Sequence, residues 1–282
     1  MINNEAKILE NGLVAMHHCE VHVCGRCNLR CKHCQYFAPL QDWIGSTESI
    51  LQTISAAQQR LHVEWFPVCG VGEPLLHPDL PTIIVAICEH RDFANRVTLV
   101  TNGVGLSTHQ HANTLLELHE KYPHFDFIIS EHIPLQETRK WLDRNKLRHE
   151  IRSFYPFVVK PMGYSKADKH TAWNTGNAGD GNGACFKSRC RAIVDGKLFR
   201  CGIQAARYSL CKYGGATQKE FVDEVLRWDG INLESSTGTE IHAYLMDMPY
   251  DECCLCFGKL EQVAQSQMTE TELKQYREAF NG

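Results

Sequence analysis

The chain has no apolar run approaching the length of a membrane span, so a membrane-embedded protein is not expected. It also has no excess of positive charge. The formal net charge is −4 over 282 residues, which leaves no electrostatic footprint for a nucleic acid. The N-terminal Met1-Ile-Asn-Asn-Glu-Ala-Lys7 is polar and lacks the apolar core of a secretion signal. A cytoplasmic location is therefore expected, where disulfides do not persist. No internal repeat is present. The 15 histidines are scattered and none falls in a zinc-hydrolase pattern such as H-E-x-x-H, so most are expected at the surface or as filler.

What the chain does have is cysteine, 14 in all. Without secretion, that excess points to metal or redox chemistry. A hydrophobic fraction of 43% supports a proper core, and the length suits one large domain plus a small one.

The densest group is Cys24-Gly-Arg-Cys27-Asn-Leu-Arg-Cys31-Lys-His-Cys34. Cys27, Cys31 and Cys34 have the spacing C-x3-C-x2-C. Three thiolates on one short loop can hold three corners of a 4Fe–4S cube and leave its fourth iron without a protein ligand. An iron left open in that way is a chemical site, not a structural staple. Zinc fits less well, because zinc sites usually pair two C-x2-C knuckles and the second knuckle here is far away.

From residue 18 to 160 strands and helices alternate. Strands are expected at His18–Cys24, Glu64–Cys69, Arg96–Val100 and Asp126–Ser130, with another near Ile151–Val159. Helices are expected at Thr47–Leu61, with Ser49 and Gln52 as a capping box, then after Asp79, at Asn113–Tyr122 and at Leu135–Lys146. Alternation at this pitch means βαβ units and a mostly parallel sheet. The motif residues fall just after strand ends, where loop-borne chemistry sits in such folds.

The cysteine spacing, followed by Gly70-Val71-Gly72-Glu73-Pro74, Thr101-Asn102-Gly103 and Ser130, resembles the radical SAM superfamily over roughly residues 18–160. The resemblance implies a partial parallel (β/α)6 barrel. It also implies that S-adenosylmethionine (SAM) chelates the open iron and is cleaved reductively to a 5′-deoxyadenosyl radical. In such a protein His33 lies by the adenine, and the loop holding Gly72 and Glu73 binds the methionyl amine. Asn102 and Ser130 touch the ribose and carboxylate, and a flavodoxin- or ferredoxin-type protein donates the electron. Val71 departs from the family's usual first glycine.

Composition changes at 173–184, a Gly- and Asn-rich stretch expected to be a linker or an active-site loop. It separates an expected core, 1–172, from a cysteine-rich unit, 185–282, that closes with a capped helix at Thr269–Phe280. Cys190 to Cys201 reads as a hairpin turning on Asp195-Gly196, with the two cysteines opposed. Cys253 and Cys256 form a C-x2-C knuckle. This half resembles a Twitch or SPASM domain, which implies a second, auxiliary 4Fe–4S cluster. Its expected ligands are Cys190, Cys201, Cys253 and Cys256. Hairpin geometry favours Cys190 and family spacing favours Cys185; a zinc ribbon of the same cysteines is the bland alternative. Cys254, between two expected ligands, is either a spare ligand or a hydrogen donor to a substrate radical. Cys19, Cys69, Cys88 and Cys211 read as plain core or surface thiols.

The residues before the first strand leave no room for a leader-binding domain, and no cobalamin-binding domain or basic RNA-binding face is evident. A small polar substrate is therefore expected, by analogy a sugar, an aminoglycoside or a related natural-product intermediate. Epimerisation, alcohol oxidation, dehydration and decarboxylation all remain open. The rival class is a non-catalytic iron–sulfur carrier or sensor, which would have no use for a methionine-binding loop.

Overall fold

The computed structural model describes residues 6–32, 34–153, 157–161, 190–247 and 260–281. Its strands are β1 (Lys7–Ile8), β2 (Val14–His22), β3 (Leu61–Cys69), β4 (Ala94–Thr101), β5 (Phe125–Glu131) and β6 (His149–Ser153). They continue as β7 (Phe157–Pro161), β8 (Arg191–Val194), β9 (Lys197–Phe199), β10 (Ile231–Asn232) and β11 (Leu260–Ala264). The main sheet runs β10-β9-β8-β2-β3-β4-β5-β6, with β1 on β2. Within it β8 and β2 to β6 are six parallel strands. The mostly parallel α/β sheet is as expected; among the described residues it stays open between β6 and β10.

The helices α1 (Thr47–Gln58), α2 (Leu80–Cys88), α3 (Ala112–Lys121) and α4 (Gln136–Arg144) alternate with the strands. Their apolar stripes explain where they lie. Ile50, Ile54 and Ala57 of α1 and Ile83, Ile84 and Ile87 of α2 join one core with Cys19, Val21 and Val63 of the sheet. Helix α1 is capped by Ser46, whose Oγ accepts from Ser49 N at 3.2 Å, three residues before the capping box expected from sequence.

The strand expected near Ile151–Val159 is two strands. β6 continues the main sheet, whereas β7 pairs antiparallel with β11. The helices α5 (Gly202–Lys212), α6 (Lys219–Arg227) and α7 (Gly238–Met246) are not anticipated by the sequence reading, while α8 (Glu270–Asn281) is. Helix α5 is buried along its length, so it shows little of the two-sided patterning by which surface helices are recognised.

The cysteine hairpin forms as its sequence indicates. Ala192 opposes Phe199, Ile193 opposes Leu198 and Val194 opposes Lys197. Asp195 (φ 53°) and Gly196 (φ 74°) make the turn. Lys212 Nζ and Tyr213 Oη, from the far end of α5, both donate to the Asp195 carboxylate at 2.8 and 2.7 Å. The hairpin is not set apart from the core: β8 lies parallel to β2, with Glu20 opposite Ala192. The second unit's expected hairpin thus extends the sheet of the first.

A left-handed turn residue without a β-branch is required at Gly196. Gly196→Val is expected to cost about 1–3 kcal/mol, and Gly196→Asn less, because Asn tolerates this region. Urea denaturation of both variants checks the order; equal midpoints for Val and wild type would contradict it.

Candidate functional site

Past His22 the chain leaves the sheet, and Val23 N and Gly25 N bond to Cys69 O and Trp43 O at 3.0 and 2.9 Å. The loop that follows carries Cys27, Cys31 and Cys34, with Cys31 only 9% exposed and the other two half-buried. N–H groups point at the sulfurs. Leu29 N donates to Cys27 Sγ at 3.4 Å, and Gln267 Nε2 donates to Cys31 Sγ at 3.4 Å. Backbone N–H groups of Ala38, Tyr36 and Phe37 favour a charged Cys34.

Burial nonetheless pushes the Cys27 thiol up to about 12 and Cys34 up to about 11, and raises Cys31. Left to themselves these are neutral thiols. A bound cation reverses that balance and takes them as thiolates. Three sulfur donors on one loop, each already met by N–H groups, fit a 4Fe–4S cube held at three corners.

The loop after β3 is fitted against this one. Gly72 N donates to Cys24 O at 3.0 Å and Glu73 N to Arg26 O at 2.8 Å. A Cβ at Gly72 would stand 2.0 Å from Arg26 O and 2.4 Å from Gly25 O. Backbone blocks it, so no side chain can be accommodated without moving one loop off the other. Val71 is 3% exposed and keeps negative φ, so a β-branched residue is tolerated there.

Glu73 is 1% exposed and its carboxylate is engaged within the protein. Oε1 accepts from Thr101 Oγ1 at 2.6 Å and Leu75 N at 3.1 Å, and Oε2 from Asn102 N at 2.7 Å. It ties the β3 loop to the end of β4. Burial raises its pKa to about 7, against the pull of those three donors. Asn102 completes the junction, its Nδ2 donating to Asn28 Oδ1 at 2.7 Å and lying 3.8 Å from Cys27 Sγ. The structure thus brings Cys27, Glu73, Gly72 and Asn102 together. Ser130, half-buried near the end of β5, follows Ile129, the residue opposite Thr101 in the β4–β5 register, and itself lies opposite Arg152 of β6. His33, Cys185, Cys253, Cys254 and Cys256 lie outside the described residues.

Sequence reasoning missed a buried polar cluster on the other face of β2. Cys19 and Val21 point into the apolar core, so His18, Glu20 and His22 share the opposite face. There Glu20 Oε1 meets His22 Nε2 at 2.8 Å and accepts from Tyr36 Oη at 2.8 Å. Cys69, read from sequence as a plain thiol, joins them, with the Glu20, His22 and Cys69 ligand atoms all within 4.8 Å of one another. Burial raises the Glu20 pKa, but the His22 hydrogen bond and charge, with His18 and Tyr36, outweigh it and bring it to about 2. The spacing of His18, Glu20 and His22 carried the signal: polar residues at every second position of a strand between apolar ones.

Cys190 and Cys201 are half-buried at the open end of the hairpin, and Gly202 N donates to Cys190 O at 2.6 Å. The hairpin register places the two cysteines across from each other. The Tyr36 hydroxyl is pushed far above its usual pKa by burial and then by Glu20, Cys69 and Cys190. Cys190 is therefore a neighbour of the Cys34 loop.

Residues 21–146 match the family model described as the Radical SAM superfamily. No curated protein matches the chain. Among solved structures, BtrN in complex with AdoMet and 2-DOIA is 15% identical, over 85% of this chain and 90% of that one, with a TM-score of 0.48. anSMEcpe with bound AdoMet and Cp18Cys peptide is 13% identical over 86% and 88%, with a TM-score of 0.35. Streptococcus suis SuiB bound to S-adenosylmethionine is 10% identical over 89% and 74%, with a TM-score of 0.31. The family match supports an enzyme of SAM-dependent radical chemistry at a 4Fe–4S cluster.

The close approach at Gly72 gives one expectation. Gly72→Ala should fold but lose most of its cluster iron, because the cysteine loop must move off its ligand geometry. Wild-type iron content in that variant would contradict it.

Glu73 gives a second. Its pKa is raised on folding from 4.5 to about 7, so across that window the folded state keeps a proton that the unfolded chain releases. Its contribution therefore favours folding below 4.5 and is lost as pH rises to about 7. Glu73→Gln removes this slope. The difference in melting temperature between wild type and variant should change in the variant's favour across that window and be flat above it. A pH-independent difference would show that Glu73 does not titrate there.

Proposed function

We propose that this chain is a radical SAM enzyme with two 4Fe–4S clusters, acting on a small polar molecule such as a sugar, an aminoglycoside or a related natural-product intermediate. The observation that carries the reading is the docking of the Gly70–Pro74 loop on the three-cysteine loop, with Glu73 and Asn102 locking the junction. A metal staple needs the cysteines alone; a second loop fitted against them suits a cofactor that bridges both.

Cys27, Cys31 and Cys34 would hold the first cluster. When bound with SAM, the cluster supplies a 5′-deoxyadenosyl radical able to abstract hydrogen. The protein's own residues shape the rest. Gly72 exposes backbone for the methionyl group, and Glu73 positions that loop instead of offering a free carboxylate. Asn102 is placed at the cluster edge for the ribose or carboxylate, with Ser130 and His33 as further contacts. The buried face of His18, Glu20 and His22 supports a polar substrate. An electron comes from a flavodoxin- or ferredoxin-type partner.

The second cluster would be held by Cys190, Cys201, Cys253 and Cys256, with Cys185 the contender for Cys190. The hairpin supports Cys190, which it sets opposite Cys201. With four protein ligands such a cluster has no open iron for SAM and is suited to moving an electron. Cys254 is the candidate hydrogen donor, and with it the reaction is a redox-neutral epimerisation. Dehydrogenation, dehydration or decarboxylation, or modification of a peptide, is the alternative, and a non-catalytic iron–sulfur carrier the remote one.

Replacing Cys27, Cys31 and Cys34 together by Ala should remove about four irons per chain and leave a 4Fe–4S signal from the second cluster. Zinc in place of that signal after anaerobic purification, or no metal, would refute the auxiliary cluster. Single Ala variants at Cys185 and Cys190 then choose between them, since only the ligand costs cluster content. For Cys254, turnover in deuterated water should place deuterium on one product carbon. A product more oxidised by two electrons, carrying none, would rule out the donor role.

A further inference from the structure

The cysteine loop is closed from outside by a segment more than 230 residues away. Arg30–Lys32 and Ser266–Met268 run antiparallel, with Cys31 opposite Gln267. Lys32 N donates to Ser266 O at 2.9 Å, and Met268 N to Arg30 O at 2.7 Å. Beyond it, Arg30 pairs with Glu270 and Lys32 with Glu272 at the start of α8.

At the centre of this ladder the Gln267 carboxamide has a fixed orientation. Its Oε1 accepts from Arg30 N at 2.6 Å. A backbone N–H can only meet the oxygen of the amide, so the NH2 must face the other way. On that side lies Cys31 Sγ, 3.4 Å from Nε2. Cys31 is 9% exposed, so the contact is largely shielded from water. The two ion pairs are exposed and hold the segment only weakly. The backbone ladder and the Gln267 amide are what align the donor.

We propose that Gln267 is a positioning residue that tunes the SAM-binding cluster: its N–H···S bond to Cys31 raises the cluster's reduction potential. The inference rests on the radical SAM reading. Reduction adds one electron to a cluster already made negative by thiolates. A donor aimed at one of those sulfurs stabilises the reduced state more than the oxidised one. Leu29 N and the backbone donors at Cys34 come from the cysteine loop itself. Gln267 is brought in from the far end of the chain. The potential is thereby coupled to the docking of the C-terminal segment, and reduction becomes easier when that segment is seated.

The test is a redox titration of the whole protein followed by electron paramagnetic resonance, on the signal that shifts when SAM is added. That signal belongs to the open-iron cluster and separates it from any second one. Gln267→Leu removes this donor and leaves the lesser one from Gln265 of the same segment. At a fixed potential the ratio of reduced to oxidised cluster should fall about tenfold, a shift of about 59 mV for one electron. Gln267→Glu keeps the shape, replaces the donor by an acceptor and should fall further. Glu270→Gln breaks an ion pair of the same segment without touching sulfur and should leave the potential at its wild-type value. If Gln267→Leu does not assemble the cluster, the isosteric Glu variant decides alone. A wild-type potential in Gln267→Glu, or an equal shift in Glu270→Gln, overturns the proposal. Absence of any SAM-responsive signal in the wild type overturns the radical SAM reading instead.

Discussion

The site depends on one close approach. The backbone at Gly72 lies so near Arg26 that a single Cβ would fall 2.0 Å from its carbonyl oxygen. This contact fixes the loop after β2 against the loop after β3. Parallel strands set it up, because β2 and β3 run side by side with His22 opposite Cys69 and end at the same level. Both loops therefore leave the sheet at one edge, where a cofactor can touch both. β4 ends beside them, and Asn102 adds a third contact to the same edge.

Glu73 shows how the junction is held. A carboxylate buried at this depth is costly, and its raised pKa reflects that. Three donors from two segments offset the cost, and those same bonds are what tie the segments together. Below this layer, Glu20 is buried yet held ionised by His22 and Tyr36. Tyr36 follows Cys34 closely in the chain and neighbours Cys190 in space, so one side chain links the cysteine loop, the polar face of the sheet and the hairpin. On the outside, the segment around Gln267 covers Cys31. The three-cysteine loop is thus supported by the Gly70–Pro74 loop, by Tyr36 on the polar face of the sheet and by the segment around Gln267.

Much of this is legible in the amino-acid sequence. The thiol spacing, the glycine loop and the Asp195-Gly196 turn are local patterns with a direct physical meaning, and each appears where expected. The strand–helix alternation of the first half is legible because the helices there carry apolar stripes. Helix α5 is not, being buried all round. Ser46 as the cap of α1 escapes notice because two serines stand three residues apart, and only the backbone angles choose between them. Cys69 looks like a core thiol because its sequence neighbours are apolar. Its real neighbours, Glu20 and His22, come from another strand. Gln267 gives no signal at all, since nothing in its surroundings announces a partner at Cys31.

The central claim is that the three-cysteine loop and the Gly70–Pro74 loop together hold a SAM-ligated cluster. The most direct measurement is anaerobic reconstitution with iron and sulfide, followed by dithionite and SAM, with 5′-deoxyadenosine and methionine quantified by chromatography. Both products should form in the wild type in equal amounts, and neither should form when Cys27, Cys31 and Cys34 are Ala. Cleavage that survives the loss of those three cysteines would contradict the account, as would a fully reconstituted, reduced cluster that leaves SAM intact.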